Sequence, residues 1–100
     1  STVDGAMAFG ALWFELAVHA MRHEPYAARL ADVMVTAQLR EFTRLYAKRT
    51  TPEHASRLAR LTLAVGQGLV FDLLIDGDRA AADAAVRDFT CMIQRELDAG

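Results

Sequence analysis

The sequence predicts an all-α fold, an antiparallel bundle of four helices. Apolar residues recur at helical spacing along most of the chain, and no segment shows the period-two alternation that is typical of a strand. Both prolines, Pro25 and Pro52, stand where a helix could begin, because proline is tolerated in a first turn. A glycine between two aspartates at 76–78 marks a further break. These breaks predict helices at 5–23, 25–48, 52–75 and 79–98.

The composition is that of one globular domain. The chain has 100 residues, of which 53% are hydrophobic and 24% charged, and this apolar share excludes a disordered chain. The formal net charge is −2 and the basic residues are scattered, which argues against a nucleic-acid-binding surface. The single cysteine cannot form an intramolecular disulfide, no signal peptide opens the chain, and no apolar run reaches the length of a membrane span. We expect a soluble cytoplasmic domain that does not bind a membrane.

The first two helices differ in the width of their polar surface. In the first helix the polar residues form only a narrow strip, and the short segment before the helix cannot cover the apolar remainder. We therefore expect this chain to be a fragment that lacks an N-terminal part. In the second helix a wide apolar arc lies opposite a solvent-facing sector, and Gln38 stands near the middle of the arc.

The third helix predicts a dimer. Thr51 is a suitable N-cap before Pro52, and the sequence LTLAVGQGLVFDLLI at 61–75 is apolar on almost every side. The other helices can cover only part of this surface, so a second copy of the chain is expected to cover the rest. Small side chains at helical spacing would allow the copies to approach closely. The interface is predicted to use the last two helices, through Ala55, Ala59, Thr62, Gly66, Leu69, Leu73, Phe89 and Ile93.

The fourth helix is predicted to begin after Asp78, whose side chain can cap it, and to bury a single apolar stripe. Cys91 lies off this stripe, with Arg87 and Arg95 one turn to either side. We interpret Cys91 as a small unreactive residue near the dimer surface. A reactive sensor thiol is the alternative.

Two stretches of the chain resemble tetracycline-repressor-type (TetR-type) transcriptional regulators. The first consists of residues 12–17, LWFELA, and residues 20–30, AMRHEPYAARL. The second is AVGQGLVFDLL at 64–74, followed by an acidic turn and an Ala-rich last helix. The resemblance covers nearly the whole chain, but it corresponds only to the C-terminal part of a family member. Nothing in the chain matches the N-terminal helix-turn-helix with which the family binds DNA.

The resemblance implies a domain that senses a small, largely apolar effector and dimerises, the last two helices of each copy forming a four-helix bundle. In the intact regulator, effector binding would alter the spacing of two DNA-binding heads. The chain itself is not expected to bind DNA, to need a cofactor or to be an enzyme, and no nucleophile–base pair or paired carboxylates stand out. The alternative is a helical dimerisation module with a filled core and no effector.

The predicted effector pocket combines large apolar side chains with two amides. Apolar side chains could line a cavity, or they could simply fill the core. A buried Gln38 amide would need hydrogen-bond partners, which a ligand, another side chain or water could supply. Gln67 has the same alternatives and could also contact the second copy. The predicted ligand-binding residues are Trp13, Phe14, Met21, Met34, Gln38, Phe42, Gln67 and Phe71.

A metal site is a weaker alternative on the first helix. Glu15, His19 and His23 follow one another at intervals of four residues, and two histidines so spaced can bind zinc. A zinc site needs three or four ligands, and the sequence supplies no further cluster. We therefore interpret these residues as a polar face with Glu–His pairing, and predict no metal.

Overall fold

The structure is a computed structural model that describes residues 11–12, 14–15, 17–19, 22 and 25–99, without the side chains of 26–28, 30–31 and 33–34. The described part of the chain is all-α and contains no strand. The first helix, α1, includes residues 11–12, 14–15 and 17–19; the others are α2 at Pro25–Tyr46, α3 at Pro52–Asp76 and α4 at Arg79–Ala99. The prediction of an all-α chain of four helices is confirmed.

The turn between α2 and α3 follows from local hydrogen bonding. Helix α2 ends at Tyr46, two residues before the predicted end, and in the turn that follows the backbone N–H groups of Arg49 and Thr50 both donate to the Tyr46 carbonyl, at 2.9 and 3.1 Å. Thr51 then has an extended backbone, and its hydroxyl accepts a hydrogen bond from the His54 N–H at 3.2 Å. With Pro52 in the first turn, the predicted cap of α3 is confirmed.

The break between α3 and α4 also has the predicted chemistry. Gly77 has a φ of 67°, in the left-handed region that other residues adopt with strain, and its N–H donates to the Leu73 carbonyl at 2.8 Å. The Asp78 carboxylate accepts a hydrogen bond from the Ala81 N–H at 3.0 Å and so caps α4. The helices therefore separate where the sequence places a glycine between two aspartates.

Most of the buried residues that the structure describes lie along the first half of α3. Of its two described neighbours, α2 and α4, helix α3 packs more extensively against α2. Ala55 and Ala59 are completely buried, and Leu58 and Leu63 are nearly so. Methyl side chains at two successive turns let the backbone of a neighbouring helix approach closely. Ala55 and Ala59 therefore serve the packing of the chain on itself.

A short relay of hydroxyl groups joins α2 to α3. The Thr62 hydroxyl donates to the Leu58 carbonyl at 2.8 Å, and its oxygen lies 2.8 Å from the Tyr46 hydroxyl. Because the Thr62 proton is already donated, the Tyr46 hydroxyl must be the donor in the contact between the two side chains. Tyr46 thus fixes the end of α2 against the middle of α3.

We expect Tyr46→Phe to lower the free energy of unfolding by about 1 kcal/mol, the usual net contribution of one hydrogen bond. Urea unfolding of the Tyr46→Phe, Thr62→Val and doubly substituted proteins would measure this change in the free energy of unfolding. The double variant is expected to lose less than the sum of the single variants, because both substitutions remove one interaction. Strictly additive losses would contradict the assigned contact.

The opposite side of α3 is largely exposed. Its apolar surface is a stripe of five residues at spacings of three or four, which we call the exposed stripe: Leu61, Ala64, Gly68, Phe71 and Ile75. Leu61 is 54% exposed, Phe71 50% and Ile75 74%. A contiguous apolar surface of this kind on a helix is typical of a protein–protein or membrane contact.

The apolar character of α3 corrects one expectation from the sequence. Among the described residues, α3 is a helix long and apolar enough to cross a membrane, by length and composition only. The prediction that no run reaches that length is therefore wrong. The core helix of a soluble protein meets the same two criteria, but only 22% of the apolar window of α3 is buried within the chain. Most of this window is therefore not buried within the chain.

Candidate functional site

Five of the eight predicted ligand-binding residues have described side chains. Trp13, Met21 and the side chain of Met34 lie outside the described residues. Of the others, Phe71 is exposed, and the half-buried side chains are those of Phe14, Gln38, Phe42 and Gln67. The predicted set is therefore spread over α1, α2 and α3, at the surface and just beneath it.

One aromatic contact joins two of the predicted residues. The rings of Phe14 on α1 and Phe71 on α3 meet edge to face, with centroids 5.4 Å apart and an interplanar angle of 73°. This contact brings α1 against the C-terminal half of α3, and it leaves half of the Phe71 surface exposed. An apolar ligand placed here would therefore meet an aromatic side chain that is already held in position.

The third predicted aromatic residue has a different neighbour. Phe42 stacks on Tyr46 one turn further along α2, with ring centroids 6.3 Å apart. Tyr46 was not among the predicted site residues, although its spacing of four residues from Phe42 could have indicated the pair. The Phe42 side chain is thus tied to the hydroxyl relay between α2 and α3.

The two predicted amides are half-buried, Gln38 on α2 and Gln67 on α3. Neither side chain makes a hydrogen bond or other polar contact with the chain at the positions described. A partly desolvated amide without a protein partner can bind water, a ligand or a second copy.

Two of the three residues of the predicted metal alternative are among the described residues. Glu15 is exposed, His19 is half-buried and His23 lies outside the described residues. No three histidine, cysteine or acidic side chains come together within the part of the chain that the structure describes. Cys91 is a free cysteine with an exposed side chain on α4.

Three of the predicted interface residues are buried within the single chain. Ala55 and Ala59 have no exposed surface, and Leu73 is 6% exposed, because the chain itself covers them. These three residues cannot contribute a substantial contact to a second copy. Of the other predicted interface residues, Gly66 is exposed, and the half-buried ones are Thr62, Leu69, Phe89 and Ile93.

An ion pair on the solvent side of α2 is the main electrostatic feature there. The Arg44 guanidinium donates hydrogen bonds to the Glu41 carboxylate, and this lowers the pKa of Glu41 while it raises the pKa of Arg44. A lowered carboxyl pKa adds stability above the unfolded pKa, and that stability is lost as the pH falls. Because both groups are exposed, the pair marks a solvated face.

A polar cluster that was not predicted from the sequence lies where α4 meets the turn between α2 and α3. Arg49 pairs with Asp98, and the His54 imidazole lies beside the Glu96 carboxylate. We call these four residues the clasp. Pairs between residues more than forty positions apart have no periodicity or motif that would indicate them in the sequence.

Comparison with protein-family models, with curated proteins and with solved structures gives no match to this chain. The resemblance to TetR-type regulators therefore stays a prediction based on the two stretches of residues described above. The described part of the chain establishes the all-α class and the positions of five of the eight predicted ligand-binding side chains.

Proposed function

We propose that the chain is the effector-sensing and dimerisation domain of a TetR-type transcriptional regulator. It binds a small, largely apolar ligand and acts on DNA only through a helix-turn-helix domain outside this chain. The family assignment is supported by the order and spacing of the two resembling stretches, at 12–30 and 64–74. The observation that most supports dimerisation is the exposed stripe of α3.

The exposed stripe is suited to a second copy of the chain. Its large side chains are half to three-quarters exposed, and α4 adds Val86 at 49% and Met92 at 59%. Covering apolar surface contributes about 25 cal/mol for each Å² removed from water. A two-fold symmetric pair would place the same stripe of both copies in one interface. The proposed interface therefore uses the exposed side of α3 together with α4.

Effector binding is supported by the apolar and amide groups described above. Phe14 and Phe71 form an aromatic pair that is only partly covered, and Gln38 and Gln67 are half-buried amides without partners in the described part of the chain. Small-molecule sites typically combine apolar walls with a few polar groups that orient the ligand. This combination favours a largely apolar ligand that carries at least one hydrogen-bonding group.

Native mass spectrometry of the purified chain tests both parts of the proposal. We expect a species of twice the 11.0 kDa chain mass that carries an additional small molecule, released as conditions become denaturing. A ligand-free dimer would favour the alternative, a dimerisation module with a filled core. A monomer at micromolar concentration would contradict the proposed dimer.

We expect Gln38→Leu to lower occupancy by the co-purified molecule roughly fivefold or more, because one hydrogen bond to the ligand is lost while the shape is kept. Dimerisation is expected to be unchanged. Native mass spectrometry under identical conditions measures both quantities. Thr36→Val, an exposed change on the same helix, is the matched control. Equal occupancy in Gln38→Leu and Thr36→Val would exclude a ligand contact at Gln38.

A further inference from the structure

Four residues of α3, Ala64, Gln67, Gly68 and Phe71, form a shallow recess in the surface of the helix. They adjoin one another across the surface because their spacings of three and four residues place them on neighbouring turns. The two small members, Ala64 and Gly68, lie beside the larger side chains of Gln67 and Phe71. An added Cβ atom at position 68 meets no atom of the described part of the chain within 4 Å, so the glycine stands open. We call these four residues the recess.

The chemistry of the recess suits a small, largely apolar molecule. The ring of Phe71 is held edge to face by Phe14 of α1, with centroids 5.4 Å apart, and half of the Phe71 surface is exposed. The Gln67 amide is half-buried and makes no hydrogen bond within the described part of the chain. An amide has both donors and an acceptor, so it can orient one polar group of a ligand. The recess thus combines apolar walls with one polar contact.

The recess of a single chain is open towards solvent. Ala64, Gly68 and Phe71 are exposed, and Gln67 is only half-buried. Small-molecule sites enclose roughly 70–90% of the surface of their ligand, whereas a molecule that lies on the surface of one helix is covered from one side. The described part of one chain therefore provides a floor and a side wall for such a molecule, but no roof.

The open side of the recess is the surface proposed for the second copy of the chain. Three of the four recess residues belong to the exposed stripe, and Gly68 is the middle residue of that stripe. The stripe contains no charged side chain, so a two-fold pair of stripes sets no like charges against each other. The glycine also allows the partner helix to approach closely. A second copy on the stripe would therefore lie directly over the recess.

We propose that the effector site is completed across the dimer, where the second copy closes the recess over a small, largely apolar molecule that carries a hydrogen-bonding group for Gln67. This inference rests on the proposed function and specifies where its effector binds on α3. Because closure and association use the same surface, occupancy of the recess and dimerisation strengthen each other by the same factor. An effector enclosed within one chain would instead bind the monomer and the dimer equally well.

Binding of N-phenyl-1-naphthylamine, a small apolar probe with one N–H group, tests the proposal by fluorescence titration of the whole chain. Leu61→Glu places an unpaired charge in the stripe, ten residues before Phe71 and thus about 15 Å from the recess along the helix. We expect the wild-type dimer to bind the probe at least about fivefold more tightly than monomeric Leu61→Glu, the lower end of usual coupling between sites. Thr36→Glu, with the same charge at an exposed position of α2, is the matched control and should bind like the wild type.

Phe71→Leu separates binding in the recess from binding elsewhere on the apolar surface. It removes the ring but keeps an apolar side chain in the stripe, so we expect it to weaken probe binding to the dimer roughly threefold. In the Leu61→Glu background it is expected to have no effect. Analytical ultracentrifugation gives the oligomeric state of each variant. Ile75→Glu, at the other end of the stripe where Ile75 is 74% exposed, is a second monomeric variant should Leu61→Glu affect folding.

Two results would overturn the inference while the proposed function stands. One is probe binding by monomeric Leu61→Glu that is as tight as binding by the wild-type dimer, or tighter. The other is an equal effect of Phe71→Leu in both backgrounds. A wild-type chain that is monomeric, or a dimer that binds neither the probe nor a co-purified molecule, would contradict the proposed function itself and this inference with it.

Discussion

Gly68→Glu is expected to convert the proposed dimer into a monomer. In the single chain a Cβ atom at position 68 meets no atom within 4 Å, and glutamate is a better helix former than glycine by roughly 0.5–1 kcal/mol. The folded chain should therefore tolerate the change. In an interface built on the exposed stripe, the new carboxylate would be buried without a partner, at a cost of about 3–5 kcal/mol. Analytical ultracentrifugation over a range of protein concentrations measures the change in dissociation constant.

Gly66→Glu provides a matched control for that experiment. A Cβ atom at position 66 also meets no atom within 4 Å, but two residues along a helix place Gly66 on nearly the opposite side from Gly68. We expect Gly66→Glu to leave dimerisation unchanged. If Gly66→Glu dissociates the dimer and Gly68→Glu does not, the partner covers the side with the small residues, and the exposed stripe is not the interface.

Leu58→Ala is expected to lower the free energy of unfolding by about 2–5 kcal/mol. Leu58 is 4% exposed, in the first half of α3 where this helix packs against α2, so the shorter side chain leaves a cavity beside the completely buried Ala55 and Ala59. The same substitution should not alter the interface proposed for the other side of the helix. Urea unfolding monitored by circular dichroism measures the change in the free energy of unfolding. It is calculated from the shift in the urea midpoint, provided that the dependence of the free energy on urea concentration is unchanged.

Leu61→Ala makes the same chemical change three residues later, where the leucine is 54% exposed. Measured in the Gly68→Glu background, so that association does not contribute, its loss is expected to stay below about 1 kcal/mol. Losses of equal size for Leu58→Ala and Leu61→Ala would contradict the assignment of a buried and an exposed side to α3.

The helix boundaries could be predicted because they depend on neighbouring residues. Thr51 and Pro52 start α3, and Gly77 and Asp78 separate α3 from α4, each through hydrogen bonds that span only a few residues. The end of α2 was predicted two residues too late. Nothing in the composition of α2 indicates the tight turn that follows it, in which the Tyr46 carbonyl accepts two backbone hydrogen bonds.

The side of α3 that the chain buries could not be predicted in the same way. A helix that is apolar on almost every side has no hydrophobic stripe to indicate its inner face, so Ala55 and Ala59 were assigned to a partner because they are small. In the structure those methyl groups face the chain's own core, and the larger Leu61, Phe71 and Ile75 are exposed. Small residues indicate close approach, but they do not say which helix approaches.

The candidate site and the clasp could also be predicted only where they depend on residues close together in the sequence. Gln38 was predicted from its position in an apolar arc, and it is half-buried. The pairs of Arg49 with Asp98 and of His54 with Glu96 join residues that are far apart in the chain. Their proximity results from how α4 folds back after Gly77, and neither propensity nor spacing encodes that geometry.

Because its burial is uneven, the two halves of α3 are expected to differ in their free energy of local unfolding. Four of its five buried residues fall between Ala55 and Leu63, and the remaining one is Leu73. Local unfolding costs more free energy where more apolar contacts are buried, so the first half of α3 is expected to open less readily than its second half. The second half can fray from its carboxyl end at a lower free energy. The junction between the two regimes lies near Gly66 and Gly68, where helix propensity is also lowest.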